Sequence, residues 1–169
     1  MKYTSAEANK LLKKLNEEKC MLLDNESRSS VFSAALGEDV ESVRPEYDYS
    51  AAAQKLEALN ADIRKVKHAI NVFNTTHTVA GFDMTIDEML VYIPQLTEKK
   101  ARLLAMSSRL PKERKSVSGY GANAVIDYLY ANYDVTKVAE DYSAVSELLS
   151  KAQTALDIVN TTETMEIDI

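Results

Sequence analysis

The chain has 169 residues, of which 46% are hydrophobic and 27% charged, with only 4 Gly and 3 Pro. This composition is typical of one helix-rich globular domain and argues against a disordered or all-β protein. The formal net charge of −6 disfavours nucleic acid and anionic membranes as partners, because binding to either requires a positive field.

The sequence contains no long apolar segment. No stretch of about 18 apolar residues occurs, so we expect no membrane span. Met1 and Lys2 are followed by Tyr3, Thr4 and Ser5 rather than by a continuous apolar run, so no secretion signal is predicted. The sequence is therefore interpreted as that of a cytoplasmic protein.

The first predicted helix begins at Thr4-Ser5-Ala6-Glu7, which has the Ser/Thr-x-x-Glu form of a capping box. Apolar residues then recur every three or four positions, and the helix is predicted to end near Asp24-Asn25. Cys20 lies within this pattern and is predicted to be a small core residue. The periodicity is lost from 26 to 46, where we allow a short strand near Val31 to Ala34, because connections this long usually carry some structure.

The second predicted helix runs from about Ser50 to Phe73. Its apolar residues alternate at spacings of three and four, as in a coiled-coil seam. Asn74-Thr75-Thr76 follows, and we expect the helix to end at the asparagine because this residue tolerates a left-handed conformation. The β-branched residues from Thr75 to Val79 then predict a short strand.

The third predicted helix follows a turn at Gly81-Phe82-Asp83. It begins at a second capping box, Thr85-Ile86-Asp87-Glu88, and runs to about Ser107. Pro94 should cause a kink, because proline removes a backbone donor and crowds the preceding turn of the helix.

A second long connection covers 108–132. Within it, Val125 to Tyr130 is ambiguous between a strand and a short helix. The last predicted helix runs from about Thr136 to Val159 and leads into Asn160-Thr161-Thr162.

The second half of the sequence repeats the first. At an offset of 86 residues the last helix matches the second one, and Asn160-Thr161-Thr162 matches Asn74-Thr75-Thr76. At an offset of 81 residues the third helix matches the first, with both capping boxes in register. These offsets indicate a tandem duplication and predict a single domain made of two repeats, about 4–80 and 85–169.

The predicted fold is mainly α. Two helical hairpins should pack as an antiparallel four-helix bundle, with short β-strands at the two Asn-Thr-Thr segments and in the long connections. We expect the two Asn-Thr-Thr strands to meet at one end of the bundle.

The order of these features resembles a small bacterial family labelled septicolysin-like. The resemblance rests on the seam helix with its Asn-Thr-Thr exit, on Gly81-Phe82-Asp83 before a capped helix, and on a last helix ending in Val159-Asn160-Thr161-Thr162. The long first connection and the tyrosine-rich second connection depart from the family pattern. The resemblance implies a helical fold and no established activity or catalytic residues. The family label suggests a secreted cytolysin, which does not agree with the missing signal segment.

Lys19 and Lys100 occupy the same seam position in the two repeats, where an apolar residue would be usual. Such a lysine can fix the register of a helix pair, with Asp48 and Asp134 as candidate partners near the starts of the second and fourth helices. The alternative is that both lysines extend to solvent at the end of the bundle.

The two repeats differ in kind at His77, which corresponds to Glu163. His68 is the other histidine, and both are explained at least as well by polar surface positions as by a metal site. Clusters at metal-ligand or catalytic spacing are missing, so we predict no metal, no cofactor and no catalytic residue.

Tyrosines are concentrated in the long connections, among them Tyr120, Tyr128 and Tyr130, and aromatic loops are common at interfaces. They could instead cover the open end of the bundle. The one basic cluster, Arg109 to Lys115, is interrupted by Glu113, and nucleic-acid binding is not predicted.

These observations favour a non-enzymatic structural or interaction protein that forms homo-oligomers or binds a protein partner. An enzyme or small-ligand-binding protein with a polar site between the long connections is an alternative. A membrane-active, toxin-like protein is a further one.

Overall fold

The computed structural model describes residues 1–114 and 127–169. In these ranges the protein is mainly helical, with short antiparallel strands. The helices are α1 (Ser5–Ser29), α2 (Val40–Val43), α3 (Tyr49–Thr76), α4 (Ile86–Ser107) and α5 (Val135–Thr162). The strands are β1 (Lys2–Thr4), β2 (Thr78–Val79), β3 (Met84–Thr85), β4 (Lys112–Arg114), β5 (Tyr128–Tyr130) and β6 (Thr164–Glu166).

The six strands form antiparallel pairs within the described residues: β1 with β6, β2 with β3, and β4 with β5. Thr4 lies opposite Thr164 in the first pair, and Thr78 lies opposite Thr85 in the second. The strands that follow the two Asn-Thr-Thr segments are β2 and β6, so the prediction that these strands meet each other is wrong. Each pairs instead with the strand that precedes a capped helix.

The described chain divides into two compact units. The first unit contains Met1–His77 and Ile158–Ile169. Within it α1 and α3 pack as an antiparallel hairpin. The predicted seam of α3 is buried, as shown by Leu59, Ile63, Val66, Ile70 and Phe73.

The second unit contains Thr78–Asp157. The Tyr133 hydroxyl donates a hydrogen bond of 2.9 Å to the Met106 carbonyl, which ties the start of α5 to the end of α4. The buried residues of the two helices again follow helical spacing and are Ile86, Met89, Leu96, Leu103, Val138, Val145, Leu149, Ala152 and Leu156. Helix α4 continues through Pro94.

Both predicted capping boxes are confirmed. The N-cap residues Thr4 and Thr85 have the same backbone conformation, with φ −70° and ψ 164°. The Glu7 amide donates to the Thr4 hydroxyl at 3.3 Å, and the Thr4 amide donates to the Glu7 carboxylate at 2.9 Å. The corresponding bonds at Thr85 and Glu88 are 3.2 and 2.7 Å. Each box thus satisfies backbone donors that a helix start leaves unpaired.

Helix α4 ends at Ser107 as predicted, but the predicted ends of α3 and α5 are wrong. Asn74-Thr75-Thr76 forms the last turn of α3 instead of starting a strand. The hydroxyls of Thr75 and Thr76 donate to carbonyls one turn earlier, at 2.9 and 2.7 Å, and these bonds are compatible with helix continuation. The same arrangement recurs at Thr162, whose hydroxyl donates to the Ile158 carbonyl at 2.8 Å.

The first long connection also differs from the prediction. Helix α1 continues to Ser29, and no strand forms at Val31 to Ala34. The short helix α2 occupies part of the connection instead, capped by the Asp39 side chain. Cys20 is exposed, so its prediction as a core residue is wrong.

Candidate interaction sites

The most exposed β-structure in the described chain is the β4–β5 ribbon, made of Lys112–Arg114 and Tyr128–Tyr130. Lys112 lies opposite Tyr130, and Arg114 lies opposite Tyr128. All six strand residues are exposed. The ambiguous segment that ends at Tyr130 is therefore a strand over its last three residues. Tyr120, the third predicted interface tyrosine, lies outside the described residues.

The two faces of the ribbon differ in chemistry. Because side chains alternate along a strand, Lys112, Arg114, Tyr128 and Tyr130 share one face. The Lys112 ammonium lies 4.2 Å from the ring centroid of Tyr128 and 5.4 Å from that of Tyr130. Both distances fall within the range of cation–π attraction. The lysine of the predicted basic cluster thus lies close to both of the predicted tyrosines.

The opposite face of the ribbon covers a cavity of about 330 Å³ beside the end of α4. Glu113 and Leu129 contribute to it from the ribbon, and Met106 and Leu110 from α4 and the residues that follow. Leu110 and Leu129 remain 62% and 49% exposed. Apolar side chains that are this exposed and this close together are typical of a contact surface.

A second candidate site lies at the end of α3, around His77. The His77 ring stacks on the Phe73 ring, with centroids 4.0 Å apart. Its Nδ1 atom lies 3.1 Å from the Phe73 carbonyl oxygen and 3.2 Å from the Thr76 hydroxyl. A carbonyl oxygen can only accept, so this contact is a hydrogen bond in the tautomer that carries the proton on Nδ1. Nε2 of a neutral ring is then left as an acceptor.

A cavity of about 410 Å³ adjoins this ring. His68 and Val72 line it from α3, and Thr164, Met165 and Glu166 line it from β6. The wall is mixed in polarity, with one carboxylate and two imidazoles among apolar side chains. Such a wall fits a small organic molecule better than a bare metal ion. In 1–114 and 127–169 no group of three or more His, Cys, Asp and Glu side chains could hold a metal ion.

At the offset of 86 residues, Glu163 corresponds to His77. The backbone amides of the two residues make the same bond, 3.0 Å long, to the Val159 and Phe73 carbonyls respectively. Glu163 is exposed. The backbone geometry at the two residues is therefore the same, but one carries an imidazole and the other a carboxylate.

The seam lysines do not take the partners predicted for them. Lys19 donates a hydrogen bond of 2.9 Å to Oδ1 of Asn60, and Asp48 instead caps α3 by accepting from the Ala51 amide. Lys100 places its ammonium 5.9 Å from the Tyr142 ring centroid. Asp134 accepts from the amides of Thr136 and Lys137, in the same way that Asp48 does. The aspartates are helix caps rather than salt-bridge partners of the lysines.

Sequence reasoning missed Asn60 and its counterpart Ser146. The offset of 86 residues places these two residues at equivalent positions, and each belongs to the helix that faces its seam lysine. The Ser146 hydroxyl is buried and has no hydrogen-bond partner in the described structure. Two polar residues at equivalent positions, directly after the buried Leu59 and Val145, were the signal that could have identified them.

Comparisons with known proteins give a fold and no function. No family model matches the chain, and no curated protein matches it significantly by sequence. Among solved structures, the chain is similar to the crystal structure of a functionally unknown conserved protein from Corynebacterium diphtheriae. The two share 14% sequence identity with a TM-score of 0.60, over 98% of this chain and 100% of that chain. Likeness at this level of identity shows a shared fold. No helix in the described part of this chain is long and apolar enough to cross a membrane.

Proposed function

We propose that this protein is a non-enzymatic interaction module that self-associates, built on a duplicated helical hairpin. The observation that carries the proposal is the β4–β5 ribbon, in which Tyr128, Leu129 and Tyr130 are 46%, 49% and 65% exposed next to the exposed Leu110. Two tyrosines and a leucine side by side on a strand and this exposed are typical of a surface that contacts another protein. Contact with another protein molecule would bury them.

Equivalent geometry in the two halves supports the duplication. Helices α3 and α5 each have 28 residues, and their ends are separated by the same offset of 86. The strand pairs share this relationship, since Thr4 and Thr164 are the counterparts of Thr85 and Thr78. We propose that the two hairpins form an antiparallel four-helix bundle, and that the bundle is a scaffold rather than a catalyst.

The ribbon breaks the equivalence of the halves. At the offset of 81 residues, Lys112 to Arg114 correspond to Val31 to Ser33, which lie in an irregular segment before α2. The second connection therefore carries a β-ribbon where the first carries none. A feature added to one half of a duplicated scaffold is a candidate for the function that the scaffold supports.

The cavity beside His77 supports a second candidate function, the binding of a small organic ligand. Its volume of about 410 Å³ is within the range that such ligands occupy, and Nε2 of His77 can orient a donor. A fragment screen by ligand-observed NMR tests this candidate. Binding that His77→Ala abolishes and Glu163→Ala leaves unchanged would favour it over self-association as the main role.

Sedimentation velocity tests the main proposal. We expect the weight-average mass to rise between about 1 µM and about 500 µM protein, the range in which small interfaces associate. A constant monomer mass over this range would contradict self-association. Residues 115–126 should be retained in these experiments, because they connect β4 to β5.

A further inference from the structure

We infer that the partner at the ribbon is a second copy of this chain, and that the two copies join through the open edges of β5 about a two-fold axis at Leu129. This inference rests on the proposed self-association and specifies which residues of the two β5 strands pair with each other. The resulting sheet would have four strands in the order β4, β5, β5 of the partner and β4 of the partner.

The hydrogen-bond pattern of the ribbon determines which backbone groups face outward. The Ala131 amide donates to the Pro111 carbonyl at 3.1 Å, so this pair is a hydrogen-bonded pair of the antiparallel ladder. Such pairs alternate with non-hydrogen-bonded pairs along a ladder. Leu129 and Glu113 therefore bond to each other, whereas the amides and carbonyls of Tyr128 and Tyr130 point away from β4, to the edge of β5 with which no other strand pairs in the described residues.

An antiparallel pairing centred on Leu129 matches these outward groups. It places Tyr128 opposite Tyr130 of the partner subunit, and Tyr130 opposite Tyr128 of the partner subunit. Each of these two pairs can exchange two backbone hydrogen bonds, because both members have outward-pointing groups. The centre of the pairing brings Leu129 against Leu129 of the partner subunit in a non-hydrogen-bonded pair. The outward groups and the register thus agree without any adjustment.

The side chains along this edge are self-complementary. Tyrosine opposite tyrosine and leucine opposite leucine are favourable cross-strand pairs, and none of the three residues carries a charge. Copies of β4 paired in the same way would place Lys112 opposite Arg114 of the partner subunit. Like charges directly opposite each other destabilise a sheet, so the β4 edge disfavours its own copy.

The same charges limit the assembly to two copies. A two-fold contact uses the β5 edge of both molecules, and the edges left open are the two β4 strands with Lys112 and Arg114. Lysine and other charges on an edge strand oppose further strand addition. The structure thus favours a closed dimer over a fibre.

Two features set the expected strength of this dimer. A contact between three-residue strands is at the small end of specific interfaces, so we expect association in the micromolar range or weaker. Each copy carries a formal net charge of −6, so the copies repel each other at low salt. Self-association should therefore strengthen as salt is added. Binding of an acidic peptide or of nucleic acid by Lys112 and Arg114 would weaken instead.

Two double variants separate the inferred register from a general loss of tyrosine. The variant Tyr128→Lys/Tyr130→Lys places like charges opposite each other at both pairs and should weaken the dimer at least tenfold. The variant Tyr128→Glu/Tyr130→Lys removes the same two rings but places opposite charges opposite each other. Its dimer dissociation constant should stay within a few-fold of the wild-type value. Sedimentation equilibrium measures both, and circular dichroism checks that each variant is folded. Equal dissociation constants for the two variants would overturn the inference.

A matched pair of proline variants tests the edge itself. Tyr130 and Lys112 lie opposite each other in the ribbon, and the amide of each points outward. Tyr130→Pro removes an amide from the β5 edge and should abolish dimerisation, whereas Lys112→Pro removes one from the β4 edge and should preserve it. The reverse result would overturn the inference.

A disulfide experiment tests the centre of the pairing. In a Cys20→Ser background, Leu129→Cys should form an intermolecular disulfide on mild oxidation, and Leu110→Cys should not.

These outcomes also separate the inference from the proposed function. A wild-type dimer that all the β5 variants leave unchanged would overturn the inference and leave self-association standing. A wild-type protein that stays monomeric at every concentration and salt would overturn both. Binding of a single-stranded oligonucleotide that Lys112→Ala and Arg114→Ala abolish, without any dimer, would reassign the ribbon to another partner.

Discussion

The ammonium of Lys19 donates a hydrogen bond of 2.9 Å to Oδ1 of Asn60, which joins α1 to α3 across the helix hairpin. In the second unit Lys100 lies near the Tyr142 ring, and the counterpart of Asn60 is Ser146, whose buried hydroxyl has no partner in the described structure. The second unit thus has a lysine at the corresponding position, but that lysine has no hydrogen bond to the residue that corresponds to Asn60.

A double-mutant cycle on Lys19→Met and Asn60→Ala should give a coupling energy of about 1 kcal/mol, because a hydrogen bond to a charged group contributes this much or more to stability. The same cycle on Lys100→Met and Ser146→Ala should give a value close to zero. Urea denaturation monitored by circular dichroism measures both. Equal coupling in the two cycles would contradict the difference between the hairpins. If Lys100→Met leaves the stability and the assembly of the protein unchanged, Lys100 does not fix the register of the helix pair.

The capping boxes should contribute equally to the two halves. Thr4→Ala and Thr85→Ala each remove the side-chain acceptor at a helix start, and each should lower the free energy of unfolding by about 1 kcal/mol. Thr→Ser at either position keeps the acceptor and is the control. Thermal and urea unfolding of the four variants provides the measurement. A large difference between the two alanine variants would mean that one cap is redundant.

The stability of the protein should decrease in acid partly through Glu7 and Glu88. Hydrogen bonds from the backbone and the hydroxyl of the capping threonine lower the pKa of each carboxyl below its ordinary value of 4.5. A lowered pKa in the folded state contributes stability that is present above pH 4.5 and is lost as the pH falls through the folded value. The double variant Glu7→Gln/Glu88→Gln should therefore show a shallower fall in unfolding free energy below pH 4.5. An unchanged slope would show that other carboxyls control acid unfolding.

The turn between β2 and β3 should tolerate few residues at position 81. Gly81 has φ +85°, a left-handed conformation, and an added side chain would meet no atom within 4 Å. The cost of a substitution is therefore conformational rather than steric. Gly81→Val should lower stability by about 1 to 2 kcal/mol, and Gly81→Asn should cost less because asparagine adopts this conformation more readily. Equal losses from both, measured by chemical denaturation, would contradict this reasoning.

Local signals in the sequence predicted the four long helices, because capping boxes and apolar periodicity depend on neighbouring residues alone. They predicted the end of α4 but not the ends of α3 and α5, since Thr76 and Thr162 stay helical through hydroxyl bonds to earlier carbonyls, and threonine also favours strands. The turn at Gly81-Phe82-Asp83 was predictable, and Gly81 and Asp83 both have positive φ.

Long-range contacts were harder to predict. The partner of Lys19 depends on how far α3 is shifted along α1, and an aspartate at the helix start was a plausible choice until that register was known. Only one strand of the ribbon could be predicted from the sequence. Tyr128 to Tyr130 has strand character, but Lys112 to Arg114 has no apolar alternation. Its strand identity comes from pairing with a segment that is distant in sequence.

The pairing of β1 with β6 also bears on where this chain can be cut. The Met1 amino group donates to the Ile167 carbonyl, and the Ile167 amide donates to the Met1 carbonyl, both at 2.9 Å. Met1 therefore lies beside Ile167, and β1 and β6 pair in the same way as β3 and β2, which Ala80 to Asp83 connect. A circular permutant with a short glycine linker joining residue 169 to residue 1, opened between Ala80 and Gly81, should fold with the same helix content. That result would show that a turn can connect β6 to β1 in the same way that Ala80 to Asp83 connects β2 to β3.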